Sequence, residues 1–112
     1  MTDSLVSVVV ALYNGADTIE AQLDALTLQS ATGFEVIVAD NGSTDLGPKI
    51  VIAHTVGAHL VDASNIRGQG HARNVGASVA NGDLLLFCDQ DDIVSPEWVE
   101  AMRAALGYRH LP

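Results

Sequence analysis

The first apolar run, Leu5-Val-Ser-Val-Val-Val-Ala11, is rich in β-branched residues and nearly unbroken. Such a run predicts a strand covered on both faces, as in a parallel sheet. Tyr13-Asn14-Gly15 then reads as a loop. Ile19, Leu23 and Leu26 recur at helical spacing behind Asp17 and Glu20, which suit a helix's positive end. A first helix is expected over about 16–29. Phe34-Glu-Val-Ile-Val-Ala39 is a second strand, and Asp40-Asn-Gly-Ser-Thr-Asp45 is turn chemistry throughout. Gly47 to Val56 carries β-branched residues, but Pro48 suits a first helical turn and parallel strands need a crossover, so a second helix is expected there.

His59-Leu-Val-Asp62 is a short third strand. The glycine-rich loop Arg67-Gly-Gln-Gly70 leads into a third helix with Ala72, Val75, Gly76 and Val79 on one face, stopped by Asn81-Gly82. Asp83-Leu-Leu-Leu-Phe-Cys88 is a fourth strand. Ser95-Pro96-Glu97 places a cap, an N1 proline and a first-turn acid at the start of a fourth helix. Val99, Met102 and Leu106 form its expected buried stripe, with Gly107 as its end. The order is βαβαβαβα. Right-handed crossovers bring the C-terminal ends of all strands to one sheet edge, where such folds bind ligands. Three polar clusters map to that edge: Tyr13-Asn14, Asp40 to Asp45, and Asp89 to Asp92. No cluster of similar density is expected at the opposite edge.

Composition narrows the function. The 112 residues suit one domain or part of one, and 48% hydrophobic content supplies a core. The net charge of −9 argues against DNA or RNA as partner and opposes any phosphate-bearing ligand unless cations intervene. Cys88 is the sole cysteine, so no internal disulfide can form. Met1-Thr-Asp-Ser lacks a basic leader, and no apolar run is long enough to span a bilayer. A cytoplasmic setting is expected, with membrane association of a longer protein left open.

The acidic run Asp89-Gln90-Asp91-Asp92 carries the most chemistry. In an extended segment Asp89 and Asp91 face the same way and repel unless a cation lies between them. Mg²⁺ or Mn²⁺ fits that need and keeps open positions for phosphate oxygens. The plain alternative is a solvated loop with a capping acid. Asp40 can accept a hydrogen bond from a base or ribose, or simply close a turn. Arg67 and Arg73 are two of only five basic residues, with Lys49, Arg103 and Arg109, and they flank the glycine-rich loop. Guanidinium groups there suit phosphate oxygens. Tyr13 can stack on a base or merely pack. His54, His59, His71 and His110 show no metal-ligand spacing and read as structural or exposed; Cys88 reads as a buried small hydrophobe. Arg67-Gly-Gln-Gly-His-Ala72 matches neither a P-loop nor a dinucleotide fingerprint, which disfavours ATPase and dehydrogenase readings.

Four stretches in order resemble the family 2 glycosyltransferases: Val6-Ser-Val-Val-Val-Ala-Leu-Tyr-Asn14, Glu35-Val-Ile-Val-Ala-Asp-Asn-Gly-Ser-Thr-Asp45, Gly68-Gln-Gly-His-Ala-Arg-Asn-Val-Gly76 and Gly82-Asp-Leu-Leu-Leu-Phe-Cys-Asp-Gln-Asp-Asp92. Ser95-Pro-Glu-Trp98 adds to the likeness. The resemblance implies a Rossmann-like three-layer αβα fold with a mostly parallel sheet, the N-terminal half of a GT-A fold. It implies that Ala11 and Tyr13 line a base pocket and that Asp40 hydrogen-bonds the base, typically uracil. Arg73 then lies beside base and diphosphate, Asp89 and Gln90 near ribose and sugar, and Asp91 on a Mn²⁺ or Mg²⁺ ion. Asp92 keeps a capping role. The implied activity is inverting transfer of a sugar from a nucleotide-diphosphate sugar to an acceptor hydroxyl.

Ala11-Leu12 departs from the more usual Pro-Thr, and Asn41 replaces a common second Asp. In the family the catalytic base and acceptor site lie in the second half of the domain. Residues 1–112 are therefore expected to form a donor-binding part, inactive alone and prone to self-association through its open face. Two other readings compete: a nucleotidyltransferase-like enzyme, disfavoured because Leu12 to Ala16 holds no basic residue, and a non-catalytic nucleotide-binding or assembly fragment. A receiver-like domain is remote, since no lysine follows a later strand.

Overall fold

The computed structural model describes residues 5–108. Eight elements alternate: β1 (Val6–Leu12), α1 (Ile19–Thr27), β2 (Phe34–Asp40), α2 (Gly47–Ala53), β3 (His59–Asp62), α3 (Gln69–Ser78), β4 (Leu84–Asp89) and α4 (Trp98–Tyr108). The strands form one parallel sheet in the order β3-β2-β1-β4. The chain therefore steps outward from β1 to β2 to β3, then returns to place β4 on the other side of β1. The point of reversal lies between β1 and β4.

That reversal decides the layers. With the crossover hand fixed, a change of direction along the sheet sends the connecting helix to the opposite face. Val6, Val8, Val10 and Leu12 face the helices α1, α2 and α4, packing with Ile19, Leu23, Leu26, Val51 and Val99. Their neighbours Val9 and Ala11 face α3, beside a second cluster of Ala39, Ala63 and Ala72. Both faces of β1 are thus covered, which explains its nearly unbroken apolar pattern. Small residues let α3 lie close: a Cβ on Gly76 would collide with the Val9 side chain. The three-layer αβα arrangement agrees with the sequence-based expectation.

Several boundaries differ. The first helix is shorter than 16–29, because Gly15 to Thr18 form a turn, with both Thr18 and Ile19 N–H bonded to the Gly15 carbonyl. The second ends at Ala53 rather than Val56: His54 turns extended and its ring accepts the Val56 N–H at 3.0 Å. The fourth is assigned from Trp98, after a turn through Pro96 and Glu97, and it continues through Gly107. Met102 is 37% exposed and does not join the buried stripe of Val99 and half-buried Leu106.

The opposite sheet edge also holds a polar network that the sequence pattern did not lead us to expect. Buried Ser7 donates to Glu35 Oε2 at 2.5 Å and accepts the Gly82 N–H at 2.8 Å. Asn81 donates its backbone and side-chain N–H groups to Glu35 at 2.6 and 3.1 Å. These bonds hold the Glu35 carboxyl below the usual carboxylate range, with the Ser7 hydroxyl the largest cause.

Candidate functional site

The C-terminal ends of β1 and β4 bound a cleft of about 450 Å³ at the reversal point. This is where the crossovers diverge to opposite faces, leaving a gap above the sheet. Of the residues singled out from sequence, Ala11, Tyr13, Asp89, Gln90 and Asp91 line this cleft. Asn41, Arg67 and Gln69 also line it.

Tyr13 and Arg67 form the outer wall. The guanidinium carbon stands 4.0 Å from the ring centroid, and the same guanidinium donates to the Tyr13 hydroxyl. The cation thus covers one face of the ring. Gln90 grips Tyr13 from β4's end: its Oε1 accepts the Tyr13 N–H at 2.8 Å and its Nε2 donates to the Tyr13 carbonyl at 3.0 Å. Both polar atoms of Gln90 are engaged in joining the two strand ends. Gly15 makes room for that amide, since a Cβ there would stand 2.6 Å from Gln90 Oε1.

The carboxylates of the acidic run are treated unequally. Asp89 accepts Arg73 Nη2 at 3.1 Å and Gln69 Nε2 at 3.0 Å on the same oxygen. Arg73 and Asp89 are 41% and 47% exposed, so the ion pair orients the groups more than it stabilises the fold. Asp91 is exposed, lines the cleft, and forms no hydrogen bond or ion pair with any described residue. Among the described residues no three His, Cys, Asp or Glu side chains converge as a preformed metal cage. One free carboxylate beside a cleft suits a hard divalent cation whose other ligands come from phosphate and water.

Two expected site residues sit outside the cleft wall. Asp40 ends β2, and its Oδ1 accepts the Ser43 N–H at 3.0 Å, closing an Asx-type turn. Arg73 lines a neighbouring hollow of about 340 Å³ behind Asp89, together with Cys88 and Trp98. Cys88 is half-buried rather than fully buried, yet burial pushes its thiol up to about 12, with Asp89 and Asp92 adding to the effect. The thiolate is therefore scarce at neutral pH. His54 and His71 pair with Asp24 and Asn65, and His59 is exposed. His110 and Arg109 lie outside the described residues.

Sequence reasoning noted Asn41 only as a departure and passed over two further amides, Gln22 and Gln29. Asn41 is 5% exposed; its Nδ2 donates to the Ala63 and Ile66 carbonyls at 2.7 and 2.8 Å, and its Oδ1 accepts the Gly68 N–H at 2.8 Å. An aspartate could not donate to those carbonyls, which gives the departure at this position a physical reason. Gln22 on α1 and Gln29 just after it bond to the backbone of the segment from Asp89 to Val99. The available signal was Gln22's place on the Ile19-Leu23-Leu26 stripe, where a polar residue needs a partner.

Comparison with known proteins gives consistent matches. The sequence model of glycosyl transferase family 2 matches residues 7–109. A glycosyltransferase of Haemophilus influenzae is 37% identical over 98 residues, covering 86% of this chain and 32% of the relative. TarS of Staphylococcus aureus, solved in complex with UDP-GlcNAc, superposes with a TM-score of 0.85 at 30% identity over 95% of this chain and 32% of that one. A mannosyltransferase from Pyrobaculum calidifontis, solved with GDP-Man and Mn²⁺, superposes with a TM-score of 0.82 at 28% identity, covering 100% of this chain and 34% of that one. The chain spans about a third of the length of the curated relatives it matches.

Proposed function

The chain belongs to glycosyl transferase family 2, and on that premise we propose that its cleft binds the nucleotide-diphosphate sugar donor of a metal-dependent glycosyltransferase. The observation that carries this reading is the cleft between β1 and β4, lined by the paired Tyr13 and Arg67 and by Asp91, whose carboxylate is unengaged among the described residues. Structures of similar proteins with UDP-GlcNAc, and with GDP-Man and Mn²⁺, support it.

Tyr13 offers its ring to the base beside Ala11, with uracil the preferred fit, and Asp40 at the next strand end accepts from a base N–H. Arg67 and Arg73 supply positive charge toward the diphosphate against the chain's net charge of −9. Asp89, oriented by Arg73, and Gln90 lie toward the ribose and sugar. Asp91 holds a Mn²⁺ or Mg²⁺ ion. When bound, such an ion neutralises charge on the departing diphosphate. The reaction is one displacement: the acceptor hydroxyl oxygen bonds to the anomeric carbon as the sugar–phosphate bond breaks. The nucleoside diphosphate leaves with the bonding electrons, the configuration inverts, and the hydroxyl proton passes to a base. The residues assigned here bind the donor, and none is assigned to that base.

The test is calorimetric titration of UDP, with and without Mn²⁺, into the protein and into Asp91→Ala. Mn²⁺-dependent binding that disappears in the variant is expected. Metal-independent binding, or none by a folded sample, overturns the reading.

A further inference from the structure

Gln22 lies on the buried stripe of α1 at 0% exposure. An amide in such a place costs free energy unless its polar atoms are paired. All of its bonds go to one segment. Nε2 donates to the Asp89 carbonyl at 2.6 Å and the Asp92 carbonyl at 2.9 Å, and Oε1 accepts the Val94 N–H at 3.2 Å. These backbone groups bracket Asp91 on both sides. Seven residues on, just beyond the C-terminal end of α1, Gln29 donates to the Ser95 carbonyl at 2.7 Å and accepts the Val99 N–H at 2.9 Å. Two amides, one on α1 and one just after it, thus hold the chain from the end of β4 to the start of α4.

From above, Gln90 ties the same turn to Tyr13. The exposed carboxylate of Asp91 therefore sits on a backbone fixed from both sides, although the carboxylate itself has no hydrogen bond or ion pair among the described residues. Carboxylates that must lose water and entropy to meet a cation bind it better when their backbone is already set.

We propose that Gln22 is a positioning residue of the donor site, presetting the Asp89–Asp92 turn so that Asp91 faces the cleft before a cation arrives. This rests on the reading of Asp91 as the cation ligand. Leucine is close to glutamine in size but cannot pair with the three backbone groups, which makes Gln22→Leu the direct test. Val36→Ala, a buried change at the far end of the sheet, is the control for general loss of stability.

In Gln22→Leu, exchange of the Val94 amide is expected to accelerate at least tenfold (about 1.4 kcal/mol) relative to amides of β1. The affinity for UDP in the presence of Mn²⁺ is expected to fall about 10- to 100-fold. Val36→Ala is expected to keep that affinity within about twofold. A folded Gln22→Leu protein with parental Val94 exchange and affinity overturns the proposal, and so does an equal affinity loss in Val36→Ala. If Gln22→Leu does not fold, Gln22→Glu replaces it. That variant keeps an acceptor for Val94 but sets a carboxylate against the two carbonyls, and parental affinity there also overturns the proposal. If the parent protein binds no UDP with Mn²⁺, the functional reading fails, and Val94 exchange alone then decides the positioning role.

Discussion

The two ends of the sheet treat their carboxylates differently. At the N-terminal edge, Glu35 accepts hydrogen bonds from Ser7 and from both N–H groups of Asn81, and its acidity is strengthened as a result. At the C-terminal edge, Asp91 has no partner among the described residues, while the backbone on both sides of it is held by Gln22. The first carboxylate is a structural tie, with its bonding capacity spent on the fold. The second is left available, and the fold instead fixes the backbone that carries it. A satisfied polar group stabilises; an unsatisfied one on a rigid support is free to bind.

This contrast can be broken from either end. The largest effect is expected from Gly82→Ala. A Cβ there would stand 2.5 Å from Ser7 Oγ, 2.7 Å from Ser7 N and 2.8 Å from the Leu5 carbonyl, and backbone atoms cannot step aside cheaply. A loss of about 1–3 kcal/mol is expected in urea denaturation, as for other overpacked sites. UDP affinity with Mn²⁺, measured where the variant is folded, should stay within about twofold. A parallel loss of affinity would show that the two ends are not separable.

Arg67→Ala should do the reverse. Arg67 is exposed and touches Tyr13, so stability should hardly change. UDP affinity should fall by about 1 kcal/mol, roughly fivefold, through loss of a cation beside the ring and diphosphate. Unchanged affinity would reduce Arg67 to packing on Tyr13.

Glu35→Gln is the smallest expected change and sharpens the comparison through pH. The folded-state pKa of Glu35 is depressed, so its stabilising effect is present above the ordinary value of 4.5 and is lost as pH falls through the lower folded value. Wild-type stability should therefore decline more steeply below about pH 4.5 than that of the variant. Urea midpoints from pH 6 to pH 3 test this, and parallel slopes would remove Glu35 as the tie.

Much of the fold was legible in the sequence because strand and helix periodicities are local. His59–Asp62 was placed to the residue, β1 and β4 each lie one residue later than expected at both ends, and β2 runs one residue further at its C-terminal end. The same alternation predicts which loops share the ligand edge, and so groups Tyr13 with Asp89 to Asp91. The exposed Met102 and the early end of α2 were not legible, since burial there depends on what neighbouring elements cover.

The sequence by itself determined the alternation of strands and helices, the two-sided burial of β1, and the collection of polar clusters at one edge. Tertiary structure alone decided the order β3-β2-β1-β4, and with it the cleft between β1 and β4. It also turned Asp40 toward Ser43, paired Arg73 with Asp89, and made Gln22 and Asn41 into clamps. Gln22 meets Asp92 across 70 positions and Asn41 meets Ala63 across 22. A repeat of two or 3.6 residues tells which face a side chain takes; it cannot tell which distant backbone group will be waiting there.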